Sequence, residues 1–180
     1  AEIARLSRGL IGEFDRPRAD ALRDLVKLQL ALGLAIEARA TLDAFAATAP
    51  ADLLLQRMSR ILAGDPKARL LPEGLRCGPH ATLWQAVALT RSDPSTALGL
   101  AARADRAMQE IAPPLRRSFA TRLGLAAAET GDWLAARRHL AMAERGRLAT
   151  KPASGLERLL SAMLKDAEGA EGEATELLAG

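Results

Sequence analysis

Tyrosine and asparagine are absent from this 180-residue sequence, cysteine occurs once (Cys77) and histidine twice (His80, His139). One thiol excludes an intramolecular disulfide. Cys77-x-x-His80 offers two of the four ligands a tetrahedral zinc site needs, and His139 is the only other imidazole or thiol, so Cys77 reads as a small buried side chain beside a helix start. The same scarcity argues against a cysteine nucleophile, which needs a basic partner placed against it. Neither a G-x-x-x-x-G-K-[ST] phosphate loop nor a G-x-G-x-x-G turn occurs. Glu171 and Glu173, two residues apart, point to different helix faces and do not form an acid and base pair. The expectation is a chain that is not an enzyme and uses no metal or cofactor.

Valine and isoleucine together number only seven, whereas alanine and leucine dominate, and hydrophobic residues make up 49% of the chain. Strand formers are therefore too few for a sheet, and an all-α fold is expected. No apolar run approaches the roughly 18 residues that span a bilayer, and no charged-then-apolar leader opens the chain. The helical pattern is already under way at Ile3, Leu6, Leu10 and Ile11, which reads as a piece of a longer protein. The compartment stays open between bacterial cytoplasm and periplasm.

Lysine appears four times among the 25 basic residues, the rest being arginine, which is the coding signature of a GC-rich, bacterial genome. The isoelectric point near 9.6 suggests nucleic acid, but the net charge is only +3 and acids interrupt the arginines. Binding to phosphates needs several aligned contacts, so nucleic acid is not the expected partner. Charge does gather in 103–147, with nine arginines against five acids, a net of +4. That stretch reads as a solvated face, or as a surface for an acidic partner such as the chain's own tail at Asp166, Glu168, Glu171, Glu173 and Glu176.

Helix signals recur with short breaks. Asp65-Pro66 and Asp93-Pro94 place a capping acceptor before a proline at the first helical position, Pro50 and Pro113 mark further boundaries, and Gly33, Gly64 and Gly131 stand where a left-handed residue ends a helix. Helices are expected at 2–13, 19–31, 35–48, 51–63, 80–91, 94–110, 114–129, 132–145, 153–167 and 170–179. Residues 64–79 are too broken for more than a turn or two, and "KPASG" at 151–155 is the expected hinge.

Two helices joined by a few residues pack antiparallel, and close packing demands small side chains where the axes approach. In "LGLAAAETGDWLAARRHLAMAE", 123–144, Leu123 and Gly124 lie on a first helix, Gly131 turns, and Trp133, Ala136, Leu140 and Ala143 share one face of a second. Trp84 and Trp133, each with Ala or Leu a turn away, are expected in the core. The pattern resembles the tetratricopeptide repeat (TPR), with its Leu-Gly pair, turn glycine and small Ala five residues later. A window at 117–148 carries it best, though without the closing proline. The window 19–50 fits the same frame through Leu22, Leu25, Gly33, Ala38, Leu42, Phe45 and Pro50, with Val26 in place of the paired glycine. A third window, 78–109, is degenerate: Trp84, Ala88, Ala97, Ala101 and Ala104 are in register, but Ser92-Asp93-Pro94 replaces the turn glycine. Residues 51–77 form an irregular insert and 153–179 acidic closing helices.

The resemblance implies one TPR-like α-α superhelix over 1–180, of about nine or ten helices, with a bundle of unrelated helices as the other α-helical arrangement. First helices of such hairpins line a concave groove that grips a peptide or helix. Carried across, the groove positions are Asp20, Arg23, Lys27, Leu30 and Ala31, then Thr82, Ala86 and Leu89, then Ser118, Thr121, Leu125, Ala128 and Glu129. The Lys/Asn/Arg set with which some members clamp a peptide's terminal carboxylate is missing. The implied function is a non-catalytic protein-interaction or scaffold module that docks a partner segment. The alternative is an assembly domain that packs on the rest of a longer chain or forms a homodimer, and a third reading, ranked below both, is binding to nucleic acid or an anionic surface through the arginine-rich 103–147.

Overall fold

A computed structural model describes residues 2–11, 18–45, 49–65, 67–68, 78–146 and 152–179. Within them the chain is all-helical, with eleven helices: α1 (Glu2–Arg8), α2 (Ala19–Ala31), α3 (Ala35–Ala44), α4 (Pro50–Ala63), α5 (Pro79–Leu89), α6 (Pro94–Arg103), α7 (Asp105–Glu110), α8 (Pro113–Glu129), α9 (Trp133–Arg145), α10 (Gly155–Ala167) and α11 (Glu171–Ala179). Four helices begin on a proline, whose missing N–H is not needed in the first turn. Asp93 caps α6 by accepting from the Thr96 N–H at 3.1 Å, and Asp132 caps α9 through the Ala135 N–H at 3.0 Å. Gly33, Gly64 and Gly131 carry φ of +78°, +80° and +76°, where a side chain would be strained.

Three expected helices differ in extent. The first ends at Arg8, and Leu10 turns inward while its carbonyl accepts from the Arg18 N–H at 2.9 Å. The third ends at Ala44; positions 46–48 of the expected span lie outside the described residues. The expected helix 94–110 is broken at Ala104 without a glycine or proline, because turning the chain there lets Ala107 and Met108 bury while α7 packs on α5. Tertiary burial overrides local helix propensity.

Consecutive helices pair as hairpins, α2 with α3, α5 with α6, α8 with α9 and α10 with α11. Helix α4 packs on α2, α3 and α5, and α10 packs on α8 and α9. Helix α8 also touches α2, α5 and α6, so the chain curls around it. Phe119 of α8 is fully buried and meets Trp84 of α5 edge-on, ring centroids 4.8 Å apart. One core runs from α1 to α9, and a smaller alanine-rich core joins Ala127, Ala128 and Ala136 to Leu160 and Leu164. A Cβ on Gly124 would lie 2.5 Å from Leu160 Cδ2 and 3.2 Å from His139 Cβ, so the backbone of α8 itself forms the contact with α10. Trp84 is in the core as expected, but Trp133 is 37% exposed. It occupies the first helical position after the Asp132 cap.

Candidate functional site

Pro114, Arg117/Ser118, Thr121/Arg122, Leu125 and Glu129 recur every three or four residues, so they share one face of α8. That face is the floor of a trough of adjoining clefts. The first, about 680 Å³, lies between Pro114, Ser118 and Thr121 on one side, the Leu32–Leu34 turn on another, and Ser154–Leu156 at the start of α10. Leu156 passes into a second cleft of about 330 Å³, bounded by Leu125, Leu159, Met163, Arg91 and Arg122. Arg91 and Arg122 in turn wall a third, of about 270 Å³, beside Gly64 and Asp65. Leu159 and Met163 carry on into a fourth of about 390 Å³, between α10 and α11, closed by Leu178.

Amphipathicity places the apolar wall. In α10 the residues Leu156, Leu159, Leu160, Met163 and Leu164 fall at i, i+3, i+4, i+7 and i+8, a stripe wider than α8 alone covers. Leu160 and Leu164 are buried, whereas Leu156 is 47% and Leu159 39% exposed along the trough. Leu32 and Leu178 are exposed at its margins.

Two arginines of α8 fix the walls. Arg117 Nε donates to Glu157 Oε1 at 2.6 Å and its Nη2 to Glu157 Oε2 and to the Pro152 carbonyl, at 3.0 Å for the latter. Glu157 also accepts from the Ser154 N–H at 2.7 Å, while Ser154 Oγ caps the Glu157 N–H, so a single carboxylate both closes the start of α10 and ties it to α8. Burial pushes the Glu157 carboxyl up, but the hydrogen bonds from Arg117 and Ser154 outweigh it and hold the group below the usual carboxylate range. Arg122 Nη1 donates to the Ile61 carbonyl at 2.6 Å and its Nη2 to that of Leu62, satisfying the end of α4 from across the trough. Burial, reinforced by the nearby positive Arg91, lowers the Arg122 guanidinium below its ordinary value.

Of the groove positions expected from the sequence, Ser118, Thr121, Leu125 and Glu129 line the trough, though Thr121 and Ala128 are buried and Thr121 Oγ1 donates to the Arg117 carbonyl at 2.9 Å. None of the groove positions carried over from the two earlier windows lines the four clefts. Asp20 is exposed and paired with Arg18 at 3.1 Å, Lys27 is exposed beside Asp24, and Arg23 reaches Asp52 of α4 at 2.7 Å. Leu30 and Ala86 are buried, Ala31 and Leu89 are half-buried, and Thr82 Oγ1 donates to the Gly78 carbonyl at 3.1 Å. Leu156, Leu159, Met163, Arg91 and Arg122 were not among the expected set. The over-wide stripe of α10 is the signal in the sequence that points to the first three.

Cys77 lies outside the described residues, and His80 Nε2 is 3.2 Å from Glu110 on the surface. Among the described residues no cluster of His, Cys, Asp and Glu could hold a metal ion, and no helix is long and apolar enough to cross a membrane. Of the arginines in 103–147, Arg106 pairs with Glu110, Arg117 with Glu157 and Arg137 with Glu168 near the acidic end, and Arg116 donates to the carbonyls of Gln109 and Ile111. No family model matches the chain, and neither a curated protein nor a solved structure matches it.

Proposed function

We propose that the chain is a non-catalytic protein-interaction module, a degenerate TPR-like array of helical hairpins, which takes a segment of a partner protein in the trough over α8. The observation that carries the reading is the run of exposed Leu32, Leu156, Leu159 and Leu178 along connected clefts. Support for the repeat comes from the hairpin pairing, the left-handed turn glycines, and Ala38, Ala97 and Ala136, each fully buried at the hairpin crossings. Arg116, Arg117 and Arg122 are half-buried and bonded to groups of the chain itself, which favours a protein partner over nucleic acid, since aligned phosphate contacts need free cations.

The test is a photo-cross-linker placed at position 159 or 156 of the full chain in extract of the source cells. A discrete polypeptide adduct, lost on adding Leu125→Asp, is expected there, with none from position 36 on α3, where Ile36 is also exposed. Adducts of equal yield at 36 and 159 refute the trough as the docking surface. The assembly reading rests on the exposed leucines of the closing hairpin α10–α11. It predicts a concentration-dependent rise in mass by light scattering, abolished by Leu178→Asp; a monomer at high concentration removes it.

A further inference from the structure

Arg91 and Arg122 converge on one helix end. Arg91 Nη1 faces the Gly64 carbonyl at 3.5 Å while Arg122 holds the carbonyls of Ile61 and Leu62. Two full positive charges thus meet a helix C-terminus worth roughly half a negative charge. Neither guanidinium forms an ion pair with a described carboxylate. Two carboxylates line the same clefts. Asp65 is turned to its own backbone, where Oδ1 accepts from the Lys67 N–H at 2.9 Å, and Glu129 sits about two helical turns along α8 from Arg122. Positive charge is left facing the trough at the place where Leu125, Leu159 and Met163 form an apolar bed.

The bed is the seam between two touching helices, α8 and α10. Elsewhere this chain covers such a seam with a third helix, as α4 lies over α2 and α3. Ridges of a further helix fit the groove between two others.

Resting on the trough reading above, we infer that the occupant is an acidic amphipathic helix of a partner protein. Its apolar face lies on Leu125, Leu159 and Met163, and one Asp or Glu carboxylate is received by Arg91 and Arg122. A carboxylate accepts both guanidinia with charge-assisted hydrogen bonds and relieves the repulsion between them. Nucleic acid fits the site less well, because two cations over an apolar bed do not make a phosphate track. A second copy would have to offer its own acidic helix, α11, whose Ala174 is already buried against the rest of the fold.

The experiment selects 16-residue peptides from a random displayed library on the full chain, on Arg91→Glu and on Leu159→Asp. Both positions are exposed, and melting by circular dichroism verifies that each variant folds. Wild-type protein should enrich sequences with Asp or Glu within one helical turn of two or more Leu, Ile, Met or Phe. Exchanging that acid for its amide in a synthetic copy should weaken binding about tenfold. Arg91→Glu should lose the acidic preference and gain Lys or Arg. Peptides that depend on Leu159 but show no preference for an acid overturn this inference and leave the trough reading standing. A selection in which nothing depends on Leu159 overturns both, as does a Leu159-dependent dimer that no peptide dissociates.

Discussion

In α2–α3–α4 and in α8–α9–α10 a third helix packs on both members of a hairpin, and the two units do so by different chemistry. In each, an arginine of the first helix holds an acid three residues into the third, Arg23 with Asp52 and Arg117 with Glu157, and that acid also accepts the N–H at its own helix start, from Ala49 at 3.2 Å and Ser154 at 2.7 Å. Each turns at a left-handed glycine and buries an alanine five residues later. Counting from the turn, Val26 of the first unit stands where the second has Gly124, Leu34 where it has Asp132, and Thr41 where it has His139. The first unit places the branched Val26 where the second brings the bare backbone of Gly124 against Leu160, and both bury polar side chains, Gln29, Asp52 and Ser59 in the first and Thr121, His139 and Glu157 in the second. The arrangement therefore depends on complementary volume and a bridging ion pair more than on any one residue type.

The largest difference should appear when the bridges are cut. Glu157 and Arg117 retain 3% and 16% of their side-chain exposure, against 7% and 31% for Asp52 and Arg23. Arg117→Met strands a carboxylate that water barely reaches and should cost about 3 to 4 kcal/mol. Arg23→Met leaves Asp52 beside an opening that water can enter and should cost clearly less. Urea denaturation followed by tryptophan fluorescence reads both. Equal losses would mean that burial does not set the strength of these bridges.

In the second unit, acid should act through His139. Burial, and then the positive charge of Arg138, lower His139 from 6.5 to about 4, so the folded chain holds it neutral. The unfolded chain takes up a proton below about pH 6.5. Stability from this group is complete above that pH, falls as pH drops towards 4 by about 3 kcal/mol, and then levels off. Replacing His139 with threonine, the residue of the first unit, should flatten the slope between pH 6.5 and 4.5. An unchanged slope would assign the acid sensitivity elsewhere.

The packing difference predicts that the second unit loses stability when one methyl group is added and the first when two are removed. Gly124→Ala drives a Cβ into the fully buried Leu160 and should cost about 1 to 3 kcal/mol despite alanine's better helix propensity. Val26→Ala instead opens a cavity in a residue with no exposure and should cost about 2 kcal/mol. A Gly124→Ala variant as stable as the parent would show that α10 moves away freely.

What the sequence disclosed follows from the range of the interactions. The turn glycines, the boundaries at Pro50, Pro94 and Pro113 and the Asp93 cap act within four residues, and they stand where the residue pattern put them, while Pro66 of the expected Asp65-Pro66 start lies outside the described residues. The break at Ala104 and the exposure of Trp133 depend on which neighbour each helix meets, and no local signal carries that. The same division holds at the trough. Ser118 and Leu125 were carried over from the resemblance to the repeat and lie on the face of α8 that floors the trough, whereas Arg91 and Arg122 meet only because α4 ends between them, and their bonds to α4 span up to 61 residues of sequence.

The smallest effect concerns the start of the second helix in each unit. Asp132 caps α9 with its side chain, while Leu34, at the same position before α3, cannot. Asp132→Leu should remove a cap and cost about 1 kcal/mol. The reverse exchange, Leu34→Asp, adds an acceptor but takes a half-buried leucine from the first cleft. Lost burial and gained cap are of similar size, so its net effect on thermal stability should stay within about 0.5 kcal/mol. A gain of the full cap value would mean that Leu34 contributes nothing to the fold, and that this edge of the trough is held in place only by Gly33 and its neighbours in the turn.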